Sequence, residues 1–182
     1  MSAVRETNEK DAPIGWITRP EAAGDAAAVR AVVRAAFPTA EEADLVDALR
    51  ADPAWIPGLS WVAETPAGEI AGHALLTRCR VGGADALALA PVSVLPAYQK
   101  RGAGAAVTRA ALRAAAELGE PLAVVLGHPE YYPRFGFVPA SRMGIRASFE
   151  VPDEALMALP LNGTGAAPLP SGTIEYPAPF GV

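Results

Sequence analysis

Val92-Ser93-Val94-Leu95-Pro96-Ala97-Tyr98-Gln99-Lys100-Arg101-Gly102-Ala103-Gly104 is the stretch that decides how this chain is read. It runs as an apolar strand, a tight turn, a basic loop with glycines, and the start of an Ala-rich helix. A helix start carries backbone N–H groups with no intrahelical partner, together with the positive end of the helix dipole. Gly102 and Gly104 lack a Cβ, so a ligand can come close to their backbone. Lys100 and Arg101 add positive charge at the same place. The combination predicts an anion site suited to a phosphate or pyrophosphate.

Two phosphate loops fail on spacing. The Walker form needs four residues between its glycines and then Gly-Lys-Ser/Thr. The dinucleotide form needs Gly or Ala three places after Gly104, where Val107 stands. What remains is Gln-x-x-Gly-x-Gly, spelled by Gln99, Gly102 and Gly104. With the preceding Val-x-Val-x-Pro strand end, it resembles the acyl-CoA-binding motif of the GNAT acetyltransferase superfamily.

That resemblance implies an α/β fold: a mixed, mostly antiparallel sheet with a splayed central parallel strand pair, flanked by helices. It implies acetyl-CoA as the acyl donor and no metal. Main chain at Val92, Ser93 and Val94 would run beside the pantetheine arm. Gln99, Lys100, Arg101, Gly102, Ala103, Gly104 and Ala105 would surround the pyrophosphate. Pro91, which cannot donate to a sheet ladder, predicts a bulge or local split in the same strand.

A second segment, Gly127-His128-Pro129-Glu130-Tyr131-Tyr132-Pro133-Arg134-Phe135-Gly136-Phe137, follows the apolar run Leu122–Leu126. Tyr132-x-x-x-Gly136-Phe137 resembles the Tyr-x-x-x-Gly-Phe ending of the GNAT domain, where the tyrosine hydroxyl often protonates the departing thiolate. Tyr131 breaks that spacing. The segment also departs from the common pattern, with Pro133 interrupting the helix expected there. In this it resembles a bacterial branch of acetyltransferases whose substrates are largely unassigned.

A base is expected as well, because only a neutral amine attacks a thioester. Many members carry a glutamate on the strand before the loop, yet Leu87–Val94 holds no ionisable side chain. The remaining candidates are His128, His73, Glu130, Asp85 and Glu64. His128 ranks first, since imidazole titrates near neutrality and this one sits close to Tyr132. His73 reads as structural. Trp55 and Trp61, in a region that lines the acceptor pocket in GNAT folds, read rather as core.

The whole chain sets the remaining bounds. At 182 residues, with 51% hydrophobic and 19% charged residues, it suits one globular domain. A net charge of −5 argues against a general nucleic-acid binder. Cys79 is the only cysteine, so an intrachain disulfide and a cysteine zinc cluster are both excluded. No run approaches a membrane span, and the polar N-terminus lacks a secretory apolar core. No membrane partner and a cytoplasmic location are therefore expected. Residues 1–12 read as a disordered segment, 13–160 as the catalytic domain, and 161–182 as a Gly/Pro-rich extension packed on it. Helices are expected from Asp25 to Phe37, from a Thr39/Glu42 capping box onward, after Gly104, and briefly at Pro152–Met157. Met143–Val151 and Thr173–Tyr176 read as strands.

The expected activity is transfer of acetyl from acetyl-CoA to an amine, on a small molecule by preference or on a peptide. A CoA-binding regulatory module without turnover is the competing reading.

Overall fold

The computed structural model describes residues 12–161 and 168–182. The disorder expected of residues 1–12 therefore falls, apart from Ala12, outside the described residues. Three helices and nine strands organise the described chain. Strand β1 (Ile17–Pro20) leads to α1 (Ala26–Ala36) and α2 (Glu41–Arg50). The meander β2 (Ser60–Glu64), β3 (Ile70–Val81) and β4 (Ala84–Val94) follows, then α3 (Ala103–Glu117) and β5 (Leu122–Leu126). Short strands complete the chain: β6 (Val138–Pro139), β7 (Ile145–Arg146), β8 (Leu156–Pro160) and β9 (Gly172–Glu175).

The strand order is β1-β2-β3-β4-β5-β8-β6, and β9 pairs with both β3 and β7. All neighbours along that path are antiparallel except β4 and β5. The expected mixed sheet with a central parallel pair is thus the observed one. β4 and β5 pair only at Leu87↔Ala123 and Ala88↔Val124. Beyond those residues the two strands diverge, and the sheet opens where the site lies.

Pro91 sits where β4 carries an extra residue. Ala74 pairs with Val92 but Leu76 pairs with Leu89, so two residues of β4 oppose one of β3. The bulge follows from the missing proline N–H, which leaves that rung of the ladder without a donor. Past it the side-chain alternation is shifted: Leu87, Leu89, Val92 and Val94 all pack on the α3 side of the sheet.

Burial explains the helices. Val29, Val32 and Val33 of α1 and Ala43, Val46 and Leu49 of α2 are buried, most of them in a cluster with Val62 and Leu75 of the sheet. Val107, Ala111 and Ala115 of α3 cover the opposite face. Gly119, at φ 82°, follows α3, a left-handed conformation that glycine adopts without steric cost.

Several local expectations differ from what is observed. The first strand, which the sequence places at Ile14–Thr18, is observed at Ile17–Pro20. Asp25 does stand at the N-cap of α1, but its carboxylate accepts from Ala22 N–H (2.7 Å) and pairs with Arg19, so it caps the preceding turn. The capping box at Thr39 does not form: Ala40 is the N-cap, and Glu42 is left with a buried, unpartnered carboxylate oxygen. Only Ile145–Arg146 of Met143–Val151 is strand. Pro152–Met157 is no helix: a 3-10 turn at Asp153–Ala155 passes into β8, which inserts between β5 and β6. Its propensity was overridden by the open edge of β5, which needed a partner. The strand expected at Thr173–Tyr176 is β9, shifted by one residue, and it ties the extension to β3 through Arg80↔Glu175 and Val81↔Ile174.

A polar chain crosses the α1–α2 face of the sheet. Arg50 pairs with Glu21 (2.6 Å), Glu21 accepts from the Ser60 hydroxyl, and Ser60 Oγ lies 2.8 Å from His73 Nε2. The Ser60 hydrogen goes to the carboxylate, so His73 must donate from Nε2, which leaves Nδ1 as a buried bare acceptor with no partner. Burial, with the Arg50 charge nearby, pushes the His73 pKa down from 6.5 to about 3. Below pH 6.5 the unfolded chain takes up a proton that the folded chain refuses. Stability is therefore whole above pH 6.5 and falls as pH drops towards 3. Urea unfolding at about pH 7 and about pH 5 should show this, with His73 alone removing ~2 kcal/mol between the two.

Candidate active site

The diverging ends of β4 and β5 open onto a cleft of about 740 Å³. Its walls are Val92, Ser93 and Val94 from β4, the loop and helix start from Tyr98 to Ala105 except Arg101, His128, Tyr131, Tyr132 and Arg134 after β5, and Ala36 and Phe37 at the end of α1. Most residues singled out in the sequence thus meet in one cavity: Val92, Ser93, Val94, Gln99, Lys100, Gly102, Ala103, Gly104, Ala105, His128 and Tyr132.

The loop before α3 has the geometry its sequence suggests. Lys100 (φ 61°) and Gly102 (φ 92°) are both left-handed, and Gly102 is the N-cap of α3. Lys100 is the only described non-glycine residue with positive φ, a strained conformation of the kind held at ligand sites. Such a turn aims successive N–H groups into one concavity, and the first turn of α3 adds its own unpaired donors. The set fits the diphosphate of a nucleotide cofactor.

The other loop residues divide by role. Gln99 Nε2 donates to Val94 O (3.3 Å), pinning the loop to the end of β4 and leaving that carbonyl a second lone pair. Ser93 Oγ is buried without a partner, so Ser93 offers the cleft its main chain. Arg101 lies outside the lining: its guanidinium donates to Ala12 O (2.8 Å), while its carbonyl accepts from Trp16 Nε1 (2.8 Å). Trp16 also meets Tyr98 edge-on at 5.6 Å and so holds the loop from outside. It stands just before β1 with no motif around it, and sequence reasoning passed over it.

The two tyrosines take different positions. A Cβ on Gly104 would stand 2.9 Å from the Tyr131 hydroxyl and 3.3 Å from Val94 Cγ2, so Tyr131 reaches across the cleft to the start of α3. Arg134 lies over the Tyr131 ring (4.1 Å) and donates to its carbonyl (2.8 Å). Tyr132 packs instead at the end of β5, where a Cβ on Gly127 would collide with its ring. Its ring meets Phe137 edge-on at 5.9 Å. Burial, with a smaller effect of Tyr131, pushes the Tyr132 pKa up to about 12, so its phenol keeps its proton throughout the neutral range. Tyr131 and Arg134, both lining the cleft, were not chosen from the sequence. The Gly104 contact that places Tyr131 lies 27 residues away along the chain and leaves no local signal.

Of the five base candidates, His128 alone lines the cleft. His73 is fully buried, Asp85 lies 3.9 Å from Arg80, and Glu64 is bound to Arg19. Glu130 is exposed and does not line the cleft. Trp55 packs with the α1–α2 cluster under Arg50, and Trp61 packs on the core with its indole bonded to Gly58 O (2.9 Å). Cys79 is buried and its pKa is pushed up to about 12 by burial, so it remains a thiol. No described helix is long and apolar enough to cross a membrane.

Comparison with known proteins agrees with this geometry. A family model described as the acetyltransferase (GNAT) family matches residues 27–137. The uncharacterized N-acetyltransferase YjhQ of Escherichia coli K12 is 36% identical over 154 residues, covering 78% of this chain and 84% of that protein. The crystal structure of the N-acetyltransferase YhbS from Escherichia coli in complex with CoA superposes with a TM-score of 0.82 at 27% identity, over 94% of this chain and 95% of that one. A GNAT family acetyltransferase from Brucella melitensis, solved with acetyl-CoA, gives a TM-score of 0.73 at 33% identity, over 91% and 97% of the two chains.

Proposed function

We propose that this chain, which belongs to the acetyltransferase (GNAT) family, moves acetyl from acetyl-CoA directly to an amine, by preference on a small molecule, in the cytoplasm. The observation that carries the reading is the single cleft joining the glycine loop at the start of α3, the split between β4 and β5, and Tyr132. Acetyl-CoA supplies the acetyl group as a thioester. Backbone N–H groups from Lys100 to Ala105 hold the diphosphate, with Lys100 adding charge and Arg101 acting only at longer range. Main chain of Val92, Ser93 and Val94, which has no β5 partner past Ala88, pairs with the pantetheine arm as an added strand would. Backbone donors there also stabilise the oxyanion that forms on the carbonyl.

The reaction balances without metal or acyl-enzyme. The amine nitrogen bonds to the carbonyl carbon, the C–S bond breaks, and the sulfur leaves with the electron pair. Tyr132 gives its phenolic proton to that sulfur, and His128 takes the proton released by the amine. Proton exchange with solvent then returns Tyr132 to its neutral phenol and takes the extra proton from His128, so no net charge is left on the protein. Proximity of the two substrates supplies much of the rate.

Calorimetric titration with acetyl-CoA, followed by a screen of amines for release of free CoA thiol, tests the reading. Saturable binding and thiol release support it. Absence of binding at millimolar acetyl-CoA overturns it. Tight binding with no turnover on any amine would favour the competing module.

A further inference from the structure

A second cavity lies on the same two strands, two residues nearer their paired ends. The cofactor cleft begins at Val92 and His128; this chamber, of about 300 Å³, meets Ala90 of β4 and Leu126 of β5. Its walls also include Val124, Phe149, Tyr176 and Phe180. Ala88 and Val124, which also pack with Tyr176, belong to the cluster on the face of β4 and β5 away from α3. The chamber therefore faces the split from the side opposite α3.

Three observations describe what it would hold. It is open: Leu126 (47%), Phe149 (36%) and Val182 (65%), three of the six large apolar residues exposed in the described chain, all line it. Apolar side chains left exposed together mark a contact surface rather than a packing accident. It is aromatic: Phe149 and Tyr176 lie 6.2 Å apart, and Tyr176 and Phe180 lie 5.2 Å apart. Its lining side chains carry no charge: Tyr176 is the only described one that titrates, and burial pushes its pKa up to about 12.

Resting on the acetyl-transfer reading, we infer that this chamber receives the body of the acceptor, and that the acceptor is a monoamine carried on an aromatic or branched aliphatic frame with no second charge. Continuity along β4 and β5 sets the occupant, since a group seated there presents its amine to the split from the face opposite the cofactor. The apolar walls also act on protonation. An ammonium loses solvation on entering and is disfavoured against the neutral amine, the form that attacks. Weakly basic arylamines need least help. Polyamines and aminoglycosides would have to bury several charges with no carboxylate among the described lining side chains to receive them.

Calorimetric titration of 2-phenylethylamine, aniline and spermidine onto the CoA-loaded protein tests this, alongside acetyl transfer to each. The apolar amines should bind saturably, with spermidine at least about 10-fold weaker, the scale of burying one ring. Leu126→Asp, and independently the half-exposed Phe149→Asp, should weaken 2-phenylethylamine by about 10-fold or more while acetyl-CoA affinity stays within about 2-fold. That retained affinity serves as the folding control. Preference for spermidine, absence of saturable binding by either apolar amine, or indifference to both substitutions overturns the inference and leaves acetyl-CoA binding standing. Failure of the protein to take up acetyl-CoA at all overturns the underlying reading instead.

Discussion

Tyr132→Phe is expected to lower kcat roughly 10-fold to 10³-fold, with acetyl-CoA affinity nearly unchanged. The hydroxyl is needed only as charge builds on the departing sulfur, so its loss falls on the transition state rather than on binding. Water can substitute in part, which sets the lower limit. The ring itself should stay in place, because it is held by Gly127 and Phe137 and the hydroxyl has no partner among the described hydrogen bonds. A purely structural tyrosine would give the reverse: lower stability and an unchanged rate per folded molecule. The wild-type pH profile offers a second check. With the Tyr132 pKa pushed up to about 12, its acid form persists above neutrality, and kcat should show no decline from loss of this proton up to about pH 10. An alkaline decline with an apparent pKa near 8 would assign the acid elsewhere.

Gly104→Glu is expected to abolish measurable acetyl-CoA binding, a loss of at least about 100-fold from bulk and charge together. Its Cβ would stand 2.9 Å from the Tyr131 hydroxyl, so the side chain must displace Tyr131 or turn into the cleft. Its carboxylate would then occupy the positive start of α3 that the diphosphate needs. Gly104→Ala separates the two causes. It adds the collision without the charge and should weaken binding by less, about 10-fold. Retained binding in both variants would move the diphosphate site away from α3. Thermal unfolding close to that of the wild type is expected, because Gly104 stands in the first turn of α3 with its backbone already helical.

The parts of the fold read correctly from the sequence are those fixed by local chemistry. The apolar run Leu122–Leu126, uninterrupted between Pro121 and Gly127, coincides with β5 end to end. The bulge at Pro91 was readable because proline removes a donor wherever it stands. Tyr132 and the glycine loop carry spacing signals, His128 is marked by its chemistry and its nearness to Tyr132, and the structure brings them to one cavity. What was missed depends on distant partners. β8 exists because β5 has an open edge, and nothing within Pro152–Met157 announces that edge. Arg101 looked like a cofactor ligand by adjacency to Lys100, yet its side chain is taken by Ala12, far earlier in the chain. Tyr131 was set aside on spacing alone, although its hydroxyl reaches Gly104 across the fold. The apolar chamber is assembled from four separate stretches of chain, so no motif could describe it.

The extra residue in β4 lets odd-numbered and even-numbered positions of one strand face the same side of the sheet. Leu87 and Leu89 before the bulge, and Val92 and Val94 after it, pack on the same side of the sheet only because one residue is out of phase. A regular strand of the same length, with no bulge, would turn every side chain beyond Leu89 to the other face. Ser93 would then project into the α3 side, while both valines turned towards the buried polar chain at His73. Deleting Ala90 would instead leave Leu89 and Val92 two positions apart, on one face and opposite the same partners Leu76 and Ala74, so the strand should keep its register without the bulge.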